Sequence, residues 1–209
     1  MTTLVLASAS PARLKTLRAA GVEPRVIVSD IDEPAVVEEY GGAALAAPDV
    51  SLVLARRKAE TVARQVDDAL VLGCDSVLEL DGEVHGKPSG PDEAVARWRR
   101  MRGRDGVLHT GHWLVDARTA GGSGLTAGAV ASAVVHFADV TDAEIAAYVA
   151  SGEPLAVAGA FTIDGLGGAF VEGVEGDPHT VVGVSLPLLR RLLADAGVPW
   201  TSLWKRSGS

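Results

Sequence analysis

The sequence predicts an α/β fold: a mixed, twisted sheet with helices against its faces, arranged as two lobes around a cleft. Three observations predict it. In the first half, short apolar runs alternate with segments of helical period. Later, two long strand-like segments are joined by the flexible Ala120-Gly121-Gly122-Ser123-Gly124, which reads as an antiparallel hairpin. Hydrophobic residues make up 47% of the 209, yet aromatics only 4%. A core of Ala, Val and Leu suits layered packing.

Taken in order, a strand over 4–7 runs through Ser8-Ala9-Ser10 into a helix over 11–20 that Gly21 ends. Ser10 before Pro11 joins an N-cap hydroxyl to a proline at the first helical position. A strand over 25–29 leads into the acidic turn Asp30-Ile31-Asp32-Glu33-Pro34, and a surface loop over 41–48 precedes a helix over 50–66. The apolar run 69–73 reads as a central buried strand delivering Cys74-Asp75-Ser76 at its C-terminal end. Asp81-Gly82 signals a hairpin turn, and Gly86-Lys87-Pro88 follows the return strand. A helix over 92–102, the long hairpin (109–116 and 129–138) and a helix opened by Thr141 come next. Glu144, three residues on, completes a capping box. Short strands and turns fill the glycine-rich 159–183, and the last helix spans 186–196. A single domain over 1–204 is expected, with a frayed tail at 205–209.

Composition excludes several function classes. A net charge of −8 and the lack of a dense basic track argue against nucleic-acid binding. The basic window from Arg97 to Arg104 reads as a solvated helix face. No apolar run reaches the roughly 18 residues of a membrane span, and the start lacks a basic n-region. The single cysteine, Cys74, leaves no internal disulfide framework. The expected address is the cytoplasm.

Four polar features sit mostly at the ends of apolar elements. Ser8, Ser10 and Arg13 surround a helix N-terminus, whose N–H groups and dipole suit an anion; an ordinary cap with a surface arginine is the plainer alternative. Asp75 at a strand end is placed to hold a metal or orient water. Lys87 lies on a stiff turn, and Lys58 borders an apolar helix face that can aim its ammonium into a cleft. Together with Glu33 these make two carboxylates and three cations. That set suits a polyphosphate held by cations, with a divalent ion bridging carboxylates and phosphate oxygens. No nucleophile elbow or metal-binding histidine spacing is present, so His109 and His112 read as structural or surface residues.

The segment from Leu6 to Arg13, then Gly73-Cys74-Asp75-Ser76, Gly86-Lys87-Pro88, the run from Tyr148 to Pro154, that from Gly159 to Gly165 and that from Val181 to Pro187 resemble, in this order, the Maf family. The resemblance implies an inosine-triphosphatase-like fold and a nucleoside triphosphate pyrophosphatase that uses a divalent cation, Mg or Mn. It implies removal of non-standard or surplus nucleotides and a link to restraint of cell division. Asp75 matches the family's proton acceptor, and with Glu33 it would hold the metal. Ser8, Arg13, Glu33, Lys58 and Lys87 match positions lining the phosphate site. Three positions set base preference in the family: arginine, threonine and glutamine in a branch favouring dTTP and UTP, and an aromatic, glutamine and glutamate in one favouring 7-methyl-GTP. Here they are Ala12, Ser76 and Asp164, matching neither. The implied partner is the nucleotide, with no nucleic acid or membrane; a homodimer stays open. The alternative is a nucleotide-binding regulator of cell division with vestigial hydrolysis.

Overall fold

Strand β1 (Leu4–Leu6) enters helix α1 (Pro11–Ala19) through Ser10, whose Oγ accepts the Arg13 N–H, with Pro11 in the first turn as its locked φ favours. The computed structural model describes residues 2–205. β2 shrinks to Arg25–Val26. The acidic segment is not a turn. Asp32 caps helix α2 (Glu33–Tyr40), its Oδ1 accepting the Ala35 N–H at 3.1 Å. A short 3-10 turn at Gly42–Ala44 then leads to α3 (Ala47–Ala63), which starts earlier than the sequence implies.

β3 (Leu70–Leu80) is the second correction, because the strand does not stop after the apolar run. It is 11 residues long in all, so Asp75 lies in mid-strand. β4 (Glu83–His85) and α4 (Pro91–Met101) follow, then β5 (Asp105–Asp116) and β6 (Thr126–Phe137), both longer than expected. Pairing with β5 along Leu70 to Glu79 is what carries β3 past its polar middle. α5 (Asp142–Ala150) has the expected capping box. In the glycine-rich segment stand β7 (Val171–Glu175) and α6 (Pro178–Val182), before α7 (Leu186–Asp195).

The basic window is not uniformly solvated. Arg97 is buried and donates to the Gly86 carbonyl, with Glu93 as its ion partner. Lys205 is not frayed: its N–H donates to the Gly21 carbonyl at 2.9 Å and its ammonium pairs with Glu23. The rest of the expected tail, 206–209, lies outside the described residues. No helix among the described residues is long and apolar enough to cross a membrane.

The sheet order is β2-β1-β3-β5-β6-β7, with β4 also on β3. β1 pairs parallel to β3 at Leu70 to Leu72, and β4 pairs antiparallel at Leu78 to Leu80. Since β5 fills the opposite edge of β3, β1 and β4 share one edge and leave 73–77 between them without a strand partner. The cores follow the same division. Leu70, Leu72 and Cys74 pack with α1 and α7, whereas Leu78 and Leu80 pack with α4 and α5 around Trp98. On the α3 face, Val71 and Val77 belong to two further clusters. The polar waist of β3 thus sits between two cores and opens at a gap in the sheet.

Two glycines let α3 settle on that waist. A Cβ at Gly73 would stand 2.1 Å from the Ala55 carbonyl oxygen, and one at Gly111 2.3 Å from that of Ser51. Both are helix backbone atoms, which cannot swing aside as a side chain would. Gly73→Ala is therefore expected to destabilise the fold by about 1–3 kcal/mol, the usual cost of overpacking. Gly90→Ala, where the methyl meets nothing within 4 Å, is expected to stay within about 0.5 kcal/mol of wild type. Urea midpoints measure both, and equal midpoints would refute the close approach.

Candidate active site

Helix α3 turns Val50, Leu54, Ala55, Ala59 and Val62 towards the sheet, and Lys58 lies within that buried stripe. The spacing leaves its stem among apolar neighbours and its ammonium at the waist. There Lys58 Nζ meets Asp75 Oδ1 at 2.5 Å and Glu33 Oε1 at 2.7 Å. The two acids differ: the Asp75 side chain is 11% exposed and that of Glu33 51%. Glu33 arrives because Asp32 starts α2 one residue before it. Burial pushes the Asp75 carboxyl up from its ordinary value. The charges of Lys58 and Arg13 oppose that rise, and Glu33 adds to it.

The opposite face of β3 carries a second group. Arg13 is buried, and four of its N–H donors are committed. Nε donates to the Gly183 carbonyl at 2.8 Å, Nη1 to Ser8 Oγ at 3.0 Å and to the Cys74 carbonyl at 2.8 Å, and Nη2 to Ser76 Oγ at 3.0 Å. An arginine has five such donors. Arg13 therefore ties α1 to the open edge of β3, standing in at Cys74 for the missing strand. Thr110 Oγ1 donates to the Thr180 carbonyl, so Ser76 Oγ must donate to Thr110 while accepting from Arg13. Ser8 Oγ accepts from Arg13 and from the Ser10 N–H, which leaves its own O–H to donate elsewhere.

The sequence-predicted residues thus fall into groups. Lys58, Asp75 and Glu33 are joined by ion pairs, while Arg13, Ser8, Ser10 and Ser76 are joined by hydrogen bonds. Ala12 is half-buried one turn before Lys15, whose ammonium pairs with Asp164 at 3.2 Å, so α1 gathers on one side two of the three positions that the resemblance links to base preference. Lys87 is exposed and makes no ion pair within 4 Å among the described residues. Its turn is anchored through Gly86, whose carbonyl accepts from Arg97 and from the Gly159 N–H. β4 pairs with β3 only as far as Leu78↔His85, so the chain leaves the sheet two residues short of Ser76.

Sequence reasoning missed Lys15, Thr110, Thr180 and Gly183. The polar break in the middle of β5 is the one local signal for Thr110; the others act only through contacts distant in the chain. Of the two alternatives for His109 and His112, structural or surface, burial favours the first. His112 is buried, and desolvation holds its pKa down at about 4. Its Nε2 accepts the Ser185 N–H, so its proton sits on Nδ1 and donates to the Thr110 carbonyl. His109 lies between Ser132 and Glu79. Burial pushes the Cys74 thiol up to about 12, which removes it as a nucleophile.

Among the described residues no group of three or more His, Cys, Asp or Glu side chains is placed to hold a metal. Two carboxylates do converge, and both reach one ammonium. A magnesium-type ion typically uses one or two carboxylates, with water and substrate phosphates completing its shell. Asp75 and Glu33 fit that requirement.

A family model described as Maf-like protein matches residues 3–196, nearly the whole chain. The chain belongs to the Maf family. Relatives named nucleoside triphosphate pyrophosphatase include one from Salinispora tropica, 59% identical over 99% of this chain and 89% of its own. Another, from Leifsonia xyli subsp. xyli, is 56% identical over 98% of each. A third, from Streptomyces coelicolor, is 55% identical over 96% of this chain and 94% of its own. Among solved structures, a nucleoside-triphosphatase / dITP/XTP pyrophosphatase from Mycobacterium abscessus aligns over 94% of this chain and 96% of that one. Its TM-score of 0.41 and 12% identity give no further support to the fold or activity of this Maf chain.

Proposed function

We infer that this chain is a nucleoside triphosphate pyrophosphatase, cleaving its substrate to nucleoside monophosphate and pyrophosphate. The supporting observation is the buried Asp75 held by Lys58 beside Glu33 at the open edge of β3, in a Maf chain whose relatives bear that name. Water attacks the α-phosphorus, the bond from that phosphorus to the α–β bridging oxygen breaks, and pyrophosphate leaves. Asp75 takes the water's proton, for which a carboxyl raised by burial is a better base than an exposed one. Lys58 balances the charge of Asp75 and then faces the phosphates, which carry most of the charge that needs neutralising. The Ser8 O–H and the N-terminal N–H groups of α1 receive phosphate oxygens. Lys87 lies outside this packed set and closes on the leaving pyrophosphate. A divalent cation held by Asp75 and Glu33 supplies Lewis-acid charge stabilisation when bound. The pivotal role of Arg13 is to hold the site together, since only one of its donors remains for a ligand.

Pyrophosphate release across standard and modified nucleoside triphosphates, with Mg²⁺, Mn²⁺ or chelator, tests this reading. Release of orthophosphate instead, or of neither product, would overturn it.

Base preference is expected to run through Asp164. An ionised carboxylate only accepts hydrogen bonds, and guanine offers adjacent N1–H and N2 amino donors where uracil and thymine offer one N–H. Its Lys15 pair is exposed, so releasing it to meet a base costs little. Higher kcat/KM is expected for GTP and 7-methyl-GTP than for UTP and dTTP, with Asp164→Gln narrowing the difference. A UTP or dTTP preference untouched by Asp164→Gln would remove Asp164 from base reading.

A further inference from the structure

Most free edges of the sheet are short and charged. β2 is two residues long and carries Arg25, β4 is three with Glu83 and His85, and β7 is five with Glu172 and Glu175. Such edges resist pairing with other chains. β6 is the exception. It pairs with β5 from Thr126 to His136, but with β7 only from Val134 to Phe137. The chain leaving β7 passes beside Ser132 and Ala133 at Gly176. That leaves 126–131, Thr-Ala-Gly-Ala-Val-Ala, as an unbulged, uncharged, proline-free edge with no strand against it.

The register shows which backbone groups are unpaired. Asp116 N–H donates to the Leu125 carbonyl and Phe137 N–H to that of Arg104, so odd-numbered β6 residues face β5. Thr126, Gly128 and Val130 therefore turn their N–H and C=O outward, in a row spaced as a second strand requires. Beside this row, Arg190, Arg191 and Asp195 of α7 line a hollow with Ala127 to Val130. All three are exposed, and none makes an ion pair within 4 Å among the described residues.

We propose that residues 126–131 pair antiparallel with the same segment of a second copy of this chain, joining two sheets across a two-fold axis. Several features favour a second copy over another partner. Self-pairing centred on Gly128, with Thr126 of each copy opposite Val130 of the other, satisfies the outward groups of both chains at once, as an isologous interface demands. It sets the two α7 helices antiparallel on one face of the joined sheet. Arg190 and Arg191 lie about one turn from Asp195, so reversal brings the arginines of one copy to the aspartate of the other. Small side chains at the edge let both helices approach without a clash. The net charge of −8 on each copy opposes association in general, so the local arginines are what make this edge receptive.

Sedimentation equilibrium at micromolar concentration is expected to give twice the chain mass for wild type, and the single mass for Val130→Pro. That proline removes an outward N–H and leaves the β5 ladder whole, the one position type a strand proline tolerates. Asp195→Arg is expected to weaken the dimer at least tenfold, and the further Arg190→Asp and Arg191→Asp changes to restore it. If Val130→Pro fails to fold, hydrogen exchange of wild-type peptide 126–131 decides: protection that is lost on dilution supports the pairing. A wild-type monomer, or a dimer whose 126–131 amides exchange as fast as in the monomer, would overturn it. Pyrophosphate release is expected to survive in Val130→Pro, since that residue touches none of the proposed site.

Discussion

Asp75→Asn is expected to lower the rate of pyrophosphate release by about 10²–10⁴-fold, the usual cost of removing a general base. The amide keeps the shape of the side chain and its place on β3, but it cannot take the proton of water. It also removes one of the two carboxylates that would hold the cation, so metal dependence should shift with the rate. In the metal-free protein the Asp75 carboxyl sits above its ordinary pKa because of burial, whereas a bound cation favours the charged form. Cation binding should therefore release a proton near the raised pKa and weaken as pH falls through it. Calorimetry in buffers of different ionisation enthalpy measures that proton for wild type and variant. Folded Asp75→Asn protein with wild-type turnover would end the assignment of Asp75 as base.

Much of the scaffold was legible because its signals are local. Ser10-Pro11 fixes where α1 begins, and Thr141 with Glu144 fixes α5; both caps are formed by residues within three of each other. Helix α2 was missed although Asp32-Glu33-Pro34 is good cap grammar. Its only buried residue is Val36, so no apolar period marks the turns that follow. Asp75 was singled out by its residue type but expected at a strand end, whereas it lies in mid-strand. The strand carries on because Val77, Leu78 and Leu80 enter cores on both faces, which makes an apolar pattern without clean alternation.

The candidate site shows the same division. Lys58 could be read as partly buried from its neighbours on α3, but the identity of its partners could not. The bonds of Arg13 reach 61, 63 and 170 residues along the chain, to Cys74, Ser76 and Gly183. Nothing local distinguishes such an arginine from a free phosphate clamp. Only the break in the sheet between β1 and β4 explains why a guanidinium is needed there, and that break comes from pairing, not from any single segment.

Lys58→Ala is expected to injure both activity and stability, because the lysine is a buried ion-pair partner and, in the proposed mechanism, the cation that faces the phosphates. Removing one member of a buried ion pair typically costs about 3–5 kcal/mol. Glu33, half-exposed, simply returns to water, so most of that loss falls on Asp75. Asp75 limits the damage by taking up a proton, and this gives the effect a pH signature. Its folded-state pKa, already raised, rises further without Lys58, so in the window between the unfolded and folded values the native state binds more protons than the unfolded one. Stability then falls as pH increases through that window. The deficit against wild type should accordingly shrink as pH is lowered from neutral into that window in urea unfolding. Lys58→Ala combined with Asp75→Asn should recover part of the loss, since no carboxylate is left buried without a cation. A deficit that does not change with pH, or that the double variant deepens to the sum of the two single effects, would show that Lys58 and Asp75 are not coupled in the folded protein.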